Sequence, residues 1–200
     1  MESERIILIG GAPTAGKSTV AEKLSKHFGM PWIGTDQIRE IMKGTVTPEE
    51  RPMLFHSRQF TAEEFFKKYS ADEIVQNEVA ESEVVWPGVK AFIDNEYSWH
   101  SFIVEGVAIL PHVVAEYKDD QKFRTIFLVD RDADRIRDVV WNRGLWSSAK
   151  NYPDTVKERE VEWVIKFNDY IVREAARYGF QTVEVSKGDQ DMKAILSTLS

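Results

Sequence analysis

Gly11-x-x-x-x-Gly16-Lys17-Ser18 has the spacing of a loop that cradles phosphates. The chemistry needs these residue types in this order. Gly11 and Gly16 let the backbone turn back and approach phosphate oxygens with no Cβ in the way. Lys17 reaches the β- and γ-phosphates, and the Ser18 hydroxyl is a ligand for Mg²⁺. Pro13 has no N–H, so the donating amides must be the later ones, Ala15 to Thr19. The expected contacts to a nucleoside triphosphate are therefore Gly11, Thr14, Ala15, Gly16, Lys17, Ser18 and Thr19.

A second set of residues would act on whatever receives the phosphoryl group. Asp36 follows a short apolar run and would accept the proton of an attacking hydroxyl. A phosphate acceptor is already ionised and needs no such base, so a carboxylate here favours an alcohol. The alternative for Asp36 is a cap on a helix beginning at Gln37. Arg39, one turn on, either holds an anionic group of the substrate or is a solvated helix residue. Glu105 finishes an apolar Phe-Ile-Val run, where an unpaired carboxylate is costly to bury. It is expected to serve the metal or, with Gly106, the acceptor. Arg143 lies in a break between two helices, where a guanidinium would stabilise charge on the phosphoryl group in flight. Arg135 or Arg137 could share that task, while Asp130, Asp132 and Asp134 read as charges at a helix N-terminus. The four histidines show no metal-ligand spacing.

These residues need a frame that brings them to one edge. Arg5–Ile9 is a strand-type run, and Val20, Leu24 and Phe28 recur at helical spacing behind the loop. Gly29 and Pro31 close that helix, and Trp32–Gly34 is a brief second strand leading to a helix from Asp36 to Gly44. Residues 45–100 carry no strand after a polar loop; short aromatic helices precede a long helical pattern from Ala71 to Trp99, which Pro87-Gly88 should kink or divide. Strands are expected at Ser101–Glu105, Arg124–Val129 and Phe180–Val185. Helices are expected at Pro111–Tyr117, after Asp130, from an Asp154 cap to Gly179, and around Met192–Leu199. Strands alternating with helices predict an α/β fold, a parallel sheet covered on both faces in a single domain. Active residues in such a sheet lie beyond the carboxyl ends of the strands, which selects the loop at Gly11, Asp36, Glu105, Asp130 and the loop at Ser186.

Composition narrows the partners. The 200 residues carry a net charge of -7, which argues against a broad nucleic-acid or anionic-membrane surface but allows a local basic pocket. Absence of cysteine excludes disulfides, zinc-thiolate sites and thiol chemistry. The acidic Met1-Glu2-Ser3-Glu4 start and the lack of a long apolar run predict neither a secretory leader nor a membrane span, hence a cytoplasmic protein.

Gly10–Thr19, Thr35-Asp-Gln-Ile-Arg39 and Val104-Glu-Gly-Val107 with Ile109-Leu-Pro111 together resemble the small P-loop kinases. The pattern is most similar to the 2-phosphoglycerate kinase-like group, whose core is similar to those of shikimate, gluconate and chloramphenicol kinases. The resemblance spans about Ile6 to Val185. It implies a P-loop NTPase fold with strand order 2-3-1-4-5, ATP and Mg²⁺, Asp36 near the acceptor hydroxyl and an arginine-bearing lid over about 143–153. Residues 45–100 would be a helical, substrate-covering insertion. Ala108 stands where this group would place a histidine, and the lid has few arginines for a trianionic substrate. The expectation is an ATP-dependent kinase acting on a hydroxyl of a small, 2-phosphoglycerate-like metabolite. A nucleotide or polynucleotide-end kinase and a nucleotide-dependent switch are the alternatives; oligomeric state is not readable.

Overall fold

In a computed structural model, described for residues 4–95, 100–185 and 190–199, the frame is a five-stranded parallel sheet. Strands β1 (Ile6–Gly11), β2 (Trp32–Gly34), β3 (Phe102–Glu105), β4 (Phe123–Val129) and β5 (Thr182–Glu184) stand in the order β2-β3-β1-β4-β5. Every residue of β1 is buried, as a central parallel strand requires. Its odd and even positions feed two cores. Ile7 and Ile9 pack with Val20, Ala21 and Leu24 of helix α1 (Lys17–Phe28) and with Ile195 and Leu199 of α8 (Gln190–Leu199). Ile6 and Leu8 point to the opposite face, covered by the two long helices α4 (Ala71–Ile93) and α7 (Asp154–Tyr178).

Register brings the functional edge together. Ile9 pairs with Glu105, Gly34 pairs with Glu105, and Gly11 pairs with Leu128. The ends of β1, β2 and β3 therefore lie side by side, and the residues that follow them share one rim. Helix α2 (Thr35–Lys43) leaves β2 directly, with Gly34 as its N-cap residue.

Several local features differ from the sequence expectation. α4 runs unbroken through Pro87. Val85, Trp86 and Val89 are buried around it, and Gly88 sits against Met42 and Ile38 of α2, so packing on both sides holds the helix through the missing N–H. The part of the expected helix at residues 96–99 lies outside the described residues, as does the loop at Ser186. α3 (Ala62–Lys68) and α4 each begin with a capping box, Thr61 with Glu64 and Ser70 with Glu73. At the start of α7 the N-cap residue is Pro153; Asp154 is one position inside, where its charge complements the helix N-terminus and pairs with Lys157 at 2.8 Å. The remaining helices are α5 (Pro111–Val114) and α6 (Ala133–Arg143). No helix among the described residues is long and apolar enough to cross a membrane.

Candidate active site

The loop between β1 and α1 forms one wall of a cleft of about 430 Å³. Pro13, Thr14, Gly16, Lys17, Ser18 and Thr19 line it, with Gly11 and Ala15 behind them. The two motif glycines have different reasons to be glycine. A Cβ on Gly11 would lie 2.1 Å from the Leu128 carbonyl oxygen, so close pairing with β4 requires it. Gly16 is left-handed, with φ 74°, and a Cβ there would meet nothing within 4 Å; its free side opens on the cleft. Thr14 is also left-handed, at φ 69°, and its Oγ1 is buried without a hydrogen-bond partner. A strained residue and an orphaned hydroxyl at a helix N-terminus fit an anion that this chain binds there.

Lys17 is the central cation. Its Nζ donates to the Ala12 carbonyl at 2.8 Å. Burial lowers its pKa to about 8, against the opposing pull of Glu105, Asp36 and Glu78. Ser18 Oγ donates to Glu105 Oε1 at 3.0 Å. Glu105 is almost fully buried at the end of β3, and that burial raises its pKa while Lys17 and Ser18 hold it down. A hydroxyl and a carboxylate side by side suit Mg²⁺, which takes one or two protein oxygens and fills its shell with water and substrate phosphates. Among the described residues there is no group of three histidines, aspartates or glutamates able to hold a metal without such phosphates.

The facing wall comes from α2 and α4. Asp36 is two residues past the N-cap and its carboxylate is exposed at 67%. It pairs with Arg39 Nη2 at 3.2 Å, and this ion pair takes the place of the capping role considered from the sequence. Arg39 also gives Nη1 to Glu81 Oε1 at 3.0 Å and has Glu40 Oε1 3.7 Å from its Nε, so its guanidinium is shared by three carboxylates. Glu78, one turn before Glu81, lines the same cleft. Its pKa rises to about 7, first from burial and then from the charge of Glu81, with Arg39 opposing and Asp36 adding to the rise. Thr35 and Gly106 complete the floor between the walls. Thr35 Oγ1 and Trp163 Nε1 are buried, face no partner and belong to residues that line the cleft.

Sequence reasoning missed Glu78, Glu81 and Trp163. The signal for the acids was present: Asn77-Glu78 and Glu81-Ser82 interrupt a helix whose neighbouring positions are apolar. Which face they occupy depends on how α2 and α7 pack against α4, and periodicity does not carry that. Trp163 lies among the buried apolar residues of α7, a pattern that ordinary packing explains; its position on the cleft follows from the course of that helix.

Of the three candidate arginines, only Arg143 lines the cleft. Arg135 clasps buried Asp130 through Nε (2.9 Å) and Nη2 (2.6 Å), and Nη2 also reaches the Val185 carbonyl. Asp130 is therefore not one of three equivalent helix caps. Only Asp132 caps α6, accepting from the Arg135 N–H, while Asp130 is the buried half of an ion pair joining the ends of β4 and β5. Arg137 is paired with Glu158. The segment after Arg143 is held by Glu160, whose oxygens accept from the Trp146 N–H (3.1 Å) and the Tyr152 hydroxyl (2.7 Å). Trp146 lies 4.5 Å from the Phe65 ring, which ties this segment to the helical insertion. A second groove of about 510 Å³ between α4 and α7 has its lysine, Lys166, already paired with Asp72 and lies away from the loop residues.

A family model described as an AAA domain matches residues 5–193. The 2-phosphoglycerate kinase of Methanocaldococcus jannaschii is 28% identical over 205 residues, covering 98% of this chain and 63% of that protein. The enzyme of the same name from Pyrococcus horikoshii is 26% identical, covering 100% of this chain and 65% of its own length. The chain thus spans less than two thirds of the curated relatives it matches. Among solved structures, a shikimate kinase from Acinetobacter baumannii in complex with shikimate aligns with a TM-score of 0.56 at 15% identity, over 99% of this chain and 94% of that one. A gluconokinase from Sinorhizobium meliloti 1021 aligns at 0.53 and 14%, over 100% and 91%. These likenesses give the fold, and the sheet order is the one the resemblance implied. With the model match running over almost the whole chain, the protein belongs to the AAA domain family, and the curated relatives it is similar to are 2-phosphoglycerate kinases.

Proposed function

We propose that the chain is an ATP-dependent kinase that moves the γ-phosphoryl group to a hydroxyl of a small molecule. The observation that carries this reading is the placement of Asp36 across the cleft that Lys17, Ser18 and Arg143 line. In that arrangement the amides of Gly16 to Thr19 hold the triphosphate, and Lys17 neutralises charge on its outer phosphates. Ser18 and Glu105 would hold Mg²⁺, which when bound shields the phosphate oxygens from the incoming nucleophile. Asp36 orients the acceptor hydroxyl and takes its proton as the new O–P bond forms; the bond from the γ-phosphorus to the bridging oxygen breaks, and ADP leaves with that electron pair. Arg143 and Lys17 stabilise the charge spread over the phosphoryl oxygens between the two.

The relatives' name points to a phosphorylated hydroxy acid as acceptor. The charges on the facing wall support a different class. The kinase reading itself is tested with labelled ATP, a panel of alcohols and Asp36→Asn. The variant is expected to keep its affinity for a nonhydrolysable ATP analogue within about twofold and to lose transfer by about a thousandfold. Equal transfer would remove Asp36 from the reaction. ATP turnover indifferent to every acceptor would replace the kinase with a switch.

A further inference from the structure

The two walls of the cleft differ in charge. Lys17 and Arg143 belong to the phosphate wall. On the acceptor side the guanidinium of Arg39 meets Asp36 at 3.2 Å, Glu81 at 3.0 Å and Glu40 at 3.7 Å, with Glu78 beside them; Lys43 pairs with Glu40 at 3.2 Å and adds its charge near Glu81. Glu78 also lines the cleft, where the cations it feels are Arg39, already engaged, and Lys17, which the nucleotide phosphates would occupy. A ligand bearing a phosphate would place further negative charge against this wall, with Arg39 and Lys43 both committed to carboxylates. Two other groups ask for a ligand. The Thr35 hydroxyl (residue 1% exposed) and the Trp163 indole N–H (residue 8% exposed) are both unpartnered on the same cleft. Burial without a partner costs each of them, and an indole N–H can only donate. A polyhydroxylated ligand satisfies both.

Resting on the kinase reading, we infer that the acceptor is a cationic polyol of the amino-alcohol or amino-sugar class, its ammonium paired with Glu78 and its hydroxyls with Thr35 and Trp163. An ammonium beside Glu78 restores the balance that the protein alone leaves uneven. It also holds one hydroxyl near Asp36 while the phosphate wall stays reserved for the nucleotide. The raised proton affinity of Glu78 fits the same account: without a ligand cation, protonation is the other way to relieve the wall.

The test uses matched ligands that differ in one group: 2-amino-1,3-propanediol, glycerol and glycerol 2-phosphate, and likewise glucosamine, glucose and glucose 6-phosphate. Binding is measured by calorimetry to the full chain with Mg²⁺ and a nonhydrolysable ATP analogue. In both series the amine should bind at least tenfold more tightly than the neutral alcohol, and the phosphate derivative most weakly. In Glu78→Gln the advantage of the amine should fall within twofold, with affinity for the ATP analogue as the check on folding. A phosphate derivative that binds best, three derivatives that bind alike, or an unchanged order in Glu78→Gln each overturns the inference. The outcomes separate from those of the kinase test. Transfer from ATP with the wrong ligand order sinks the acceptor class alone, whereas the right order with no transfer to any alcohol sinks the kinase reading.

Discussion

The phosphate wall and the acceptor wall of the cleft are built in opposite ways. On the first, six of the lining residues fall between Pro13 and Thr19, with Glu105 and Arg143 added from elsewhere. On the second, Asp36 and Arg39 come from α2, Glu78 and Glu81 from α4, and Trp163 from α7. A local loop fixes its own geometry through backbone dihedrals, left-handed at Thr14 and Gly16. The second wall has no geometry until three helices dock. On the proposed reading this is a division of labour: one short segment holds the donor, and helix packing shapes the acceptor side.

That contrast can be broken or sharpened by measurement. The largest effect should come from the local wall: Lys17→Met is expected to lower kcat/KM by about a thousandfold. A loss below tenfold would mean the loop does not work as a unit around its lysine. Next is the anchor of the segment after Arg143. Glu160→Leu leaves the Tyr152 hydroxyl and the Trp146 N–H without an acceptor, and should cost about 3 kcal/mol in urea unfolding. Stability within 0.5 kcal/mol of wild type, roughly the scatter of a surface change, would show that segment to be loose.

The smallest effect has the most informative sign. Folding raises the pKa of Glu78 to about 7, so the folded state binds its proton more tightly than the unfolded chain. The ionised carboxylate therefore costs stability above that pH, and the cost disappears as pH falls towards the ordinary glutamate value. Glu78→Gln should stabilise the ligand-free protein by about 2 kcal/mol at pH 8 and by nothing measurable near pH 4.5. A residue kept for structure alone would show the reverse at pH 8. A stabilising substitution that abolishes ligand preference marks a group retained for recognition.

Legibility in the sequence followed the same division. The loop, the strands and the alternation of the sheet could be read because each depends on neighbours within a few residues. Asp36 and Glu105 were found because strand ends in a parallel sheet share a rim. Arg39 was read as either a holder of anions or a solvated helix residue, but its partners Asp36 and Glu81 sit 3 and 42 positions away, and the second is invisible to periodicity. Of the two outcomes expected at Pro87, a kink or a division, the division did not occur, because propensity counts the lost N–H and not the packing that offsets it. Asp130 looked like its neighbours Asp132 and Asp134 until the fold put Arg135 over it.

Gly88 gives the two walls a mechanical link. Because it has no side chain, the Met42 and Ile38 edge of α2 nests directly on α4, and the helix bearing Asp36 rests on the helix bearing Glu78. On the proposed reading, turnover and selectivity share that seam. A repacked contact there, far from any bound molecule, would retune both at once, and engineering that aims at one alone must leave that seam alone.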